Sequence, residues 1–374
     1  MDSFLLHCKS LLTNLPKLKL FRIVLGNEAC DLDSAISALT YAFYLNHKTG
    51  IPTLPVMNIL KQEIPLKTEV VHFLKQNDIL LHNLIFRDSL DLSMLKNMSF
   101  EITLVDHHIL SEYWIPFSSK VKEILDHRPK DPSWMWDSSV QDKIQMVGSC
   151  ATLVANEIFQ NQNVHNKDFQ MLAKLLHATI LLDTVNFSKS ADRARELDVK
   201  IIERLETVLN VSPEDLLEYR SKIFNDLTKA RTDISKLTPI QILHKDMKKL
   251  GQIPISGMPI LIEKYLEIAG SHEAILEMCE LNSTDIIILM GMQIDGTMVT
   301  RDLGIYSRNY AEEINEIICT LKNNKNPDLL LQEKNSRLNG LTLFSQGNTK
   351  ATRKHIYPIL KKIMEKLCLC NVKS

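Results

Sequence analysis

Apolar residues recur in short β-branched or leucine-rich runs along the first half of the chain, and amphipathic segments separate these runs. The runs predict strands at residues 21–25, 53–58, 83–86, 101–105 and 121–125. The amphipathic segments have the helical period and predict helices at 34–45, 67–75, 149–160 and 168–182. This alternation predicts an α/β fold, a doubly wound and mainly parallel sheet with helices on both faces. Ligands of such sheets bind beyond the carboxyl ends of the strands.

A polar, charge-rich stretch over residues 188–213 follows and predicts a connecting helix with a linker. Apolar runs beyond it predict strands at 253–260, 285–293 and 297–301. Helical spacing predicts helices at 239–250, 262–268, 310–320 and 353–367. Because 374 residues exceed what one core usually organises, we expect two domains, residues 1–205 and a smaller α/β domain over 214–374.

The 44 basic and 45 acidic residues nearly cancel, which argues against a surface that binds a nucleic-acid strand. An anionic substrate would therefore need a local basic pocket. The seven cysteines lack paired zinc-type spacing and indicate a reducing compartment. The N-terminal apolar run is too short for a signal peptide, and no stretch reaches the roughly 20 apolar residues that span a bilayer. We therefore expect a cytoplasmic protein without a membrane partner.

Acidic residues stand at the ends of several predicted elements. Asp31 and Asp33 lie where the first strand turns into a helix, Asp88 ends another strand, and Asp183 ends a long apolar helix. Each of them taken alone is most simply a cap or a turn residue. Their recurrence in order along the chain favours a shared cation.

An aspartate and two histidines, Asp106, His107 and His108, directly follow a predicted buried strand. Such groups are costly there unless a metal or a phosphate satisfies them; the alternative is a histidine pair at the surface. Hard oxygen ligands with few imidazoles suit Mg²⁺ or Mn²⁺ better than structural zinc, with Co²⁺ as a further alternative. Two such ions about 3.5–4 Å apart catalyse phosphoryl transfer in many enzymes. This set of aspartates and histidines therefore predicts a two-metal phosphoesterase.

The order of these motifs resembles that of the DHH phosphoesterase family, which is named after the triplet found here as Asp106-His107-His108. Within this family, the chain resembles the prune group of exopolyphosphatases. The resemblance is carried by the runs GNEACDLDS, IFRD, LVDHHILS, LDHRP, VGSCATLV and LLDTVNF. It continues into the second half and covers nearly the whole chain. It implies an N-terminal DHH domain, a C-terminal DHHA2 domain and an active site in the cleft between them.

The resemblance implies a set of metal ligands. Asp31 and Asp88 would hold one metal ion, and Asp88 would bridge to the other. The remaining ligands of the second ion would be Asp33, His107 and Asp183.

It also implies three supporting roles. His108 would contact the substrate phosphate or the attacking water, and Asp106 would orient the neighbouring imidazole. Asn27 stands at the first metal site where related inorganic pyrophosphatases have a histidine. The missing imidazole favours Mg²⁺ there and argues against a dedicated pyrophosphatase.

A basic set is implied in the second half. Lys248 matches an internal lysine motif, and Arg353 with Lys354 matches a C-terminal arginine–lysine pair that follows Asn348. Taken in isolation, these residues are more simply interpreted as charged side chains on a solvent-exposed face. Beside a metal cluster, they would neutralise the distal phosphates of a substrate.

Further anion contacts are predicted in the first half. His127 and Arg128 belong to the LDHRP run, and Gly148 with Ser149 would present backbone amides at a helix start. Arg301 follows a predicted strand and is as readily a surface charge.

The leading hypothesis is hydrolysis of short linear phosphates, such as tri- or tetrapolyphosphate. One alternative is a cyclic-nucleotide phosphodiesterase, which needs the same metals and a base pocket that no sequence motif identifies. Another is a regulatory scaffold with residual phosphoesterase activity. Animal prune proteins are linked to nucleoside-diphosphate kinase, and longer members carry a C-terminal extension; this chain ends at Ser374, so we do not expect that partner.

Overall fold

The computed structural model describes residues 1–161, 167–296, 298–309 and 312–366. It divides into two compact units, Met1–Asp233 and Ile234–Ser374. Small parts of three predicted elements lie outside the described residues, namely position 297 of one strand, 310–311 of one helix and 367 of the last helix.

The first unit contains a six-stranded parallel sheet. Its strands are β1 Phe21–Leu25, β2 Thr53–Met57, β3 Ile85–Phe86, β4 Phe100–Val105, β5 Val121–Asp126 and β6 Gln141–Ile144. The spatial order is β3-β2-β1-β4-β5-β6, so the direction of winding reverses between β1 and β4. This confirms the predicted doubly wound sheet and places its switch point, where ligands bind, at the ends of β1 and β4.

The helices of the first unit are α1 Asp2–Leu11, α2 Leu32–Thr49, α3 Thr68–Gln76, α4 Leu92–Leu95, α5 Cys150–Asn161, α6 Lys167–Asp183, α7 Glu196–Val208 and α8 Leu216–Thr232. Helix α7 lies in the polar stretch that predicted a connecting helix. Helix α8 packs against α3 and α6, and its Asp226 bonds to His72 at 2.7 Å. The first unit therefore extends past position 214, where the sequence-based range starts the second domain.

The second unit has a mixed six-stranded sheet of order β11-β12-β10-β9-β8-β7, in which β8 and β9 are parallel. Its strands are β7 Asp246–Leu250, β8 Ile253–Met258, β9 Ile286–Asp295, β10 Met298–Ser307, β11 Leu331–Lys334 and β12 Leu341–Gln346. Its helices are α9 Pro239–Lys245, α10 Ile262–Leu266, α11 Ser271–Leu281, α12 Glu312–Asn323 and α13 Arg353–Lys366. Helices α9–α11 and helices α12–α13 contribute to two separate apolar clusters, to which the sheet strands also contribute.

The predicted helix over residues 239–250 is wrong in its second half. The helix ends at Lys245, and Asp246–Leu250 forms the edge strand β7, antiparallel to β8. Its charged residues stay exposed while Leu250 is buried, and charged side chains are common on edge strands. In the part of the chain that the structure describes, every helix is too short or too polar to cross a lipid bilayer.

Candidate metal centre

The loop after β1 is shaped to deliver polar side chains. A Cβ atom at Gly26 would lie 2.3 Å from the Ser34 hydroxyl oxygen, which accepts the Asn27 N–H at 2.7 Å. Cys30 adopts a left-handed conformation (φ 45°) and turns the chain into α2. Asp31 caps this helix by accepting the Ser34 N–H at 3.1 Å. Glycine is thus required at position 26 for the close approach of the loop to α2.

Asp33, in the first turn of α2, is buried and joins α2 to α5. Its Oδ2 atom accepts the Cys150 N–H at 2.7 Å, and its Oδ1 atom accepts the Ala151 N–H at 2.8 Å. The carboxylate therefore caps the amino end of α5, where negative charge is stabilised. Asp33 Oδ1 also accepts the Ser37 hydroxyl at 3.2 Å, whereas Oδ2 keeps a lone pair for another ligand.

Asp106 follows β4 directly in a left-handed conformation (φ 62°) and is fully buried. Its Oδ2 atom accepts the Asn27 side-chain N–H at 2.5 Å, and its Oδ1 atom accepts the Arg128 Nη1–H at 2.7 Å. Burial and the neighbouring Asp33 raise the pKa of Asp106 to about 8. The ionised carboxylate is therefore short of positive charge in the protein alone.

His127 follows β5 and is oriented by a backbone carbonyl. Its Nδ1 atom lies 3.1 Å from the Val147 carbonyl oxygen, which can only accept, so Nδ1 carries the hydrogen. Its Nε2 atom lies 3.2 Å from Asp106 Oδ1 and 3.7 Å from Asp33 Oδ2. Burial lowers the pKa of His127, but the hydrogen bond to Asp106 and the charges of Asp33 and Asp106 together outweigh burial and raise the pKa to about 9. The same nitrogen would bind a cation in its neutral form.

These three residues form a compact group of ligand atoms. One ligand atom each from Asp33, Asp106 and His127 lies within 4.8 Å of the others. Asp31 and Asp183 line an adjoining cavity of about 340 Å³ together with Asp33 and His127. The elements that carry the group end at or next to the switch point of the sheet.

Asp183 lies at the carboxyl end of α6, and its Oδ2 atom is buried without a hydrogen-bond partner among the described residues. Burial and the nearby carboxylates of Asp33 and Asp31 raise the pKa of Asp183 well above its usual range. Burial and the Asp33 carboxylate also raise the pKa of Asp31. An unpartnered buried oxygen, converging carboxylates and an oriented imidazole fit divalent cations such as Mg²⁺ or Mn²⁺.

Asp88 does not join this group. Its side chain is exposed, and both carboxylate oxygens lie 3.2 Å from the backbone nitrogen of Lys61, whose N–H they accept. The physical reason is the strand order, because β3 lies two strands away from β1, on the side opposite to β4. The bridging role that the resemblance implied for Asp88 is therefore not supported by its position.

The two histidines of the triplet have different surroundings. His108 is satisfied at both ring nitrogens: Nδ1 lies 2.5 Å from Asp126 Oδ2, and Nε2 accepts the Asp131 N–H at 2.9 Å. His107 Nδ1 lies 2.9 Å from the Val105 carbonyl oxygen, and its Nε2 atom is buried without a partner among the described residues. Burial lowers the pKa of His107 to about 4, so the ring is neutral. The role of His107 as a metal ligand stays a prediction, and the imidazole of the group formed with Asp33 and Asp106 is His127, from the LDHRP run.

Gly148 does not present a free amide. The Gly148 N–H donates to Asp198 Oδ2 at 2.7 Å, and the following amides of Cys150 and Ala151 donate to Asp33. The amide of Gly148 is therefore bound by a side-chain carboxylate of the protein itself, and the anion contact of Ser149 stays a prediction.

Within the second unit, Lys248 is exposed on β7 and Lys354 is exposed at the start of α13. Arg353 donates from Nη1 to the Asp246 carbonyl oxygen at 2.6 Å and from Nη2 to Asp246 Oδ1 at 2.7 Å. The arginine is thus anchored to the edge strand that carries Lys248.

The two remaining predicted residues of this unit have backbone partners. Asn348 donates from its side chain to the Asp328 carbonyl oxygen at 2.7 Å. Arg301 donates from Nε to the Thr349 carbonyl oxygen at 2.8 Å. These bonds fix the turn that precedes α13.

Sequence reasoning missed several residues of the first unit. Arg193 and Arg195 line the same cavity as Asp31 and Asp183, and Asp126 and Asp198 hold its loops. The arginines lie in the polar stretch that predicted a helix and a linker. Their signal was the cluster of charges at 192–198, which extends into the first turn of α7 and has no apolar period of its own.

Known proteins resemble this chain over most of its length. The DHHA2 domain family model matches residues 225–363. Exopolyphosphatase PRUNE1 of Homo sapiens is 35% identical over 373 residues, covering 97% of this chain and 79% of the human protein. The manganese-dependent inorganic pyrophosphatase of Methanothrix thermoacetophila is 26% identical and covers 71% of this chain and 79% of its own length. The crystal structure of a putative family II inorganic pyrophosphatase of Methanococcus jannaschii has a TM-score of 0.54 at 18% identity, over 92% of this chain and 100% of that one, and shows a shared fold.

Proposed function

Since the chain belongs to the prune group of the DHH phosphoesterase family, we propose that it hydrolyses phosphoanhydride bonds with divalent metal ions, in short linear phosphates such as tri- and tetrapolyphosphate. The substrate class follows the names of the relatives, an exopolyphosphatase and a manganese-dependent pyrophosphatase.

One observation carries the proposal, namely the convergence of Asp33, Asp106 and His127 at the switch point of the first sheet. Two of the three ligand atoms belong to buried carboxylates, and the pKa of Asp106 is raised although Arg128 contacts it, so a divalent cation would stabilise the ionised group. Linear phosphates are polyanions and need cations at the bond that breaks. The same group therefore supports both metal binding and phosphoanhydride chemistry.

In the proposed site, Asp33, Asp106 and His127 hold one cation, and Asp31 and Asp183 complete the set for a second. Two divalent cations, when bound, supply Lewis-acid activation of water and neutralise charge on the phosphate. The chain itself fixes the ligands: the Asn27 amide and the Arg128 guanidinium orient the Asp106 carboxylate.

The basic residues of the second unit are proposed to bind the distal phosphates. Lys248 and Lys354 are exposed, and Arg353 keeps its planar donors in place through Asp246. An exposed ammonium and a fixed guanidinium are the two kinds of phosphate-binding cation that proteins use.

The test is a phosphate-release profile. Tripolyphosphate, tetrapolyphosphate and pyrophosphate are incubated with the protein in Mg²⁺, Mn²⁺ or Co²⁺, and cyclic AMP is assayed for AMP formation. We expect release from tri- and tetrapolyphosphate that stops with a chelator and returns with added metal. Turnover of cyclic AMP alone, or metal-independent release, would contradict the proposal.

A further inference from the structure

Arg193 is a cation of the metal-centre cavity that no motif of the family resemblance includes. It lines the cavity with Asp31, Asp33 and Asp183. Its guanidinium donates from Nη1 to the Asp183 carbonyl oxygen at 3.4 Å, which is its one hydrogen bond to the described part of the chain. The charge of Arg193 therefore lies beside the residue whose carboxylate oxygen is buried without a partner.

The backbone segment that contains Arg193 is held at the site by a buried carboxylate, which binds the N–H of the nearby Arg195. Asp198 is fully buried, and its Oδ2 atom accepts the N–H groups of Gly148 and Arg195, each at 2.7 Å. Its Oδ1 atom accepts the Thr152 hydroxyl at 2.5 Å. A Cβ atom at Gly148 would lie 3.3 Å from the Arg193 carbonyl oxygen. The segment is thus packed against the cavity wall, while the Arg193 side chain is exposed.

The other arginines that line the cavity have their charges engaged. Arg128 donates to Asp106 Oδ1 at 2.7 Å. Arg195 donates from Nη1 to the Asp192 carbonyl oxygen at 3.0 Å and to Asp192 Oδ1 at 3.3 Å. A phosphate that enters among carboxylates needs a cation that an acidic side chain has not already neutralised. Arg193 meets this requirement, since no acidic side chain of the described residues pairs with it.

We propose that Arg193 binds a phosphate group of the linear substrate and determines affinity for it. The inference rests on the proposed function and adds a phosphate contact from the first unit. A guanidinium offers planar donors that grip phosphate bidentately, which an ammonium does not. Because Arg193 lies beside the Asp183 backbone and outside the ligand group, its contribution is to substrate binding, and KM is the parameter that it sets.

The test compares Arg193→Gln with Arg195→Gln, a matched control that removes the same charge from the same cavity. Kinetics with tripolyphosphate and Mn²⁺ are combined with calorimetric binding of the hydrolysis-resistant analogue imidodiphosphate. We expect Arg193→Gln to raise KM and the analogue Kd about tenfold or more, with kcat within about threefold and Mn²⁺ affinity unchanged. Arg195→Gln changes both less than about threefold, and Arg193→Lys recovers part of the affinity.

Unchanged KM and Kd in Arg193→Gln would overturn the inference even if the wild type hydrolyses tripolyphosphate. Equal losses in both glutamine variants would show a general charge effect and overturn it as well. If the wild type releases no phosphate from any linear phosphate, the proposed function fails, and the imidodiphosphate Kd then decides the role of Arg193 alone. Thermal unfolding of each variant verifies that the fold is intact.

Discussion

At the scale of single residues, the metal centre depends on which strand ends meet. The sequence shows acids after several strands, but it does not show the order of those strands in space. Asp88 follows β3, which lies two strands from β1, whereas His127 follows β5, which is adjacent to β4. The candidate ligands Asp31, Asp33 and Asp183 were therefore predictable from their motifs, and the partners of Asp106 were not.

This difference is testable with two isosteric substitutions. We expect Asp106→Asn to lower kcat by about a hundredfold or more, because it removes charge from the buried group that we propose holds the cation. Mn²⁺ affinity, measured by calorimetry, should fall in parallel. Asp88→Asn should stay within about threefold of the wild type, because its side chain is exposed and bonds to a backbone N–H. The reverse pattern would restore Asp88 as the bridging ligand.

A second residue-scale prediction concerns Asp302 on β10. Its Oδ2 atom accepts the Ile262 N–H at 2.8 Å, and burial raises its pKa from 3.8 to about 6. The folded state therefore binds a proton more tightly than the unfolded chain, and this group adds stability as the pH falls from 7 towards 4. Relative to Asp302→Asn, the wild type should gain about 1 kcal/mol in unfolding free energy between pH 7.5 and pH 5. Urea denaturation of both proteins at the two pH values measures this gain, and parallel curves would contradict it.

At the scale of elements, apolar runs predicted the buried strands well and the edge strands poorly. Strands β1, β2, β4 and β5 consist mainly of buried residues, so hydrophobic runs in the sequence predicted them. Strand β6 has no buried residue and β7 has one, Leu250. Edge strands are stabilised by backbone pairing to one neighbour and tolerate charged side chains, so their sequences carry little apolar signal.

Three helices of the first unit are joined by a buried polar network. Glu206 on α7 accepts from Arg220 Nε at 2.6 Å and Nη2 at 2.8 Å on α8, and lies 3.0 Å from His177 Nε2 on α6. Arg220→Met should lower the unfolding free energy by about 3 kcal/mol, because it leaves the buried Glu206 carboxylate without its guanidinium and with His177 alone as a partner. The double variant Arg220→Met with Glu206→Gln should recover part of that loss, as measured by urea denaturation. Full additivity of the two changes would contradict a coupled network.

At the scale of the whole molecule, all proposed metal ligands belong to the unit Met1–Asp233. The sequence-based division ended the first domain at 205, because the segment beyond it is polar and the sequence does not show which elements it packs against. The structure shows that partner: α8 covers α3 and α6, and its Leu227 is buried in the core of the first unit. Contacts between elements far apart in the chain are what local patterns do not reveal.

The position of α8 leads to a prediction about fragments. A fragment of residues 1–233 should unfold cooperatively and bind Mn²⁺, since it holds Asp31, Asp33, Asp106, His127 and Asp183 with their supporting contacts. A fragment of residues 1–205 should aggregate or lack a cooperative transition, because it exposes the apolar surface of α3 and α6 that α8 covers. Circular dichroism on heating and Mn²⁺ calorimetry on both fragments measure the two outcomes. Equal cooperativity in the shorter fragment would place the boundary of the first domain before α8, and loss of Mn²⁺ binding in the longer one would show that the metal centre needs residues beyond Asp233.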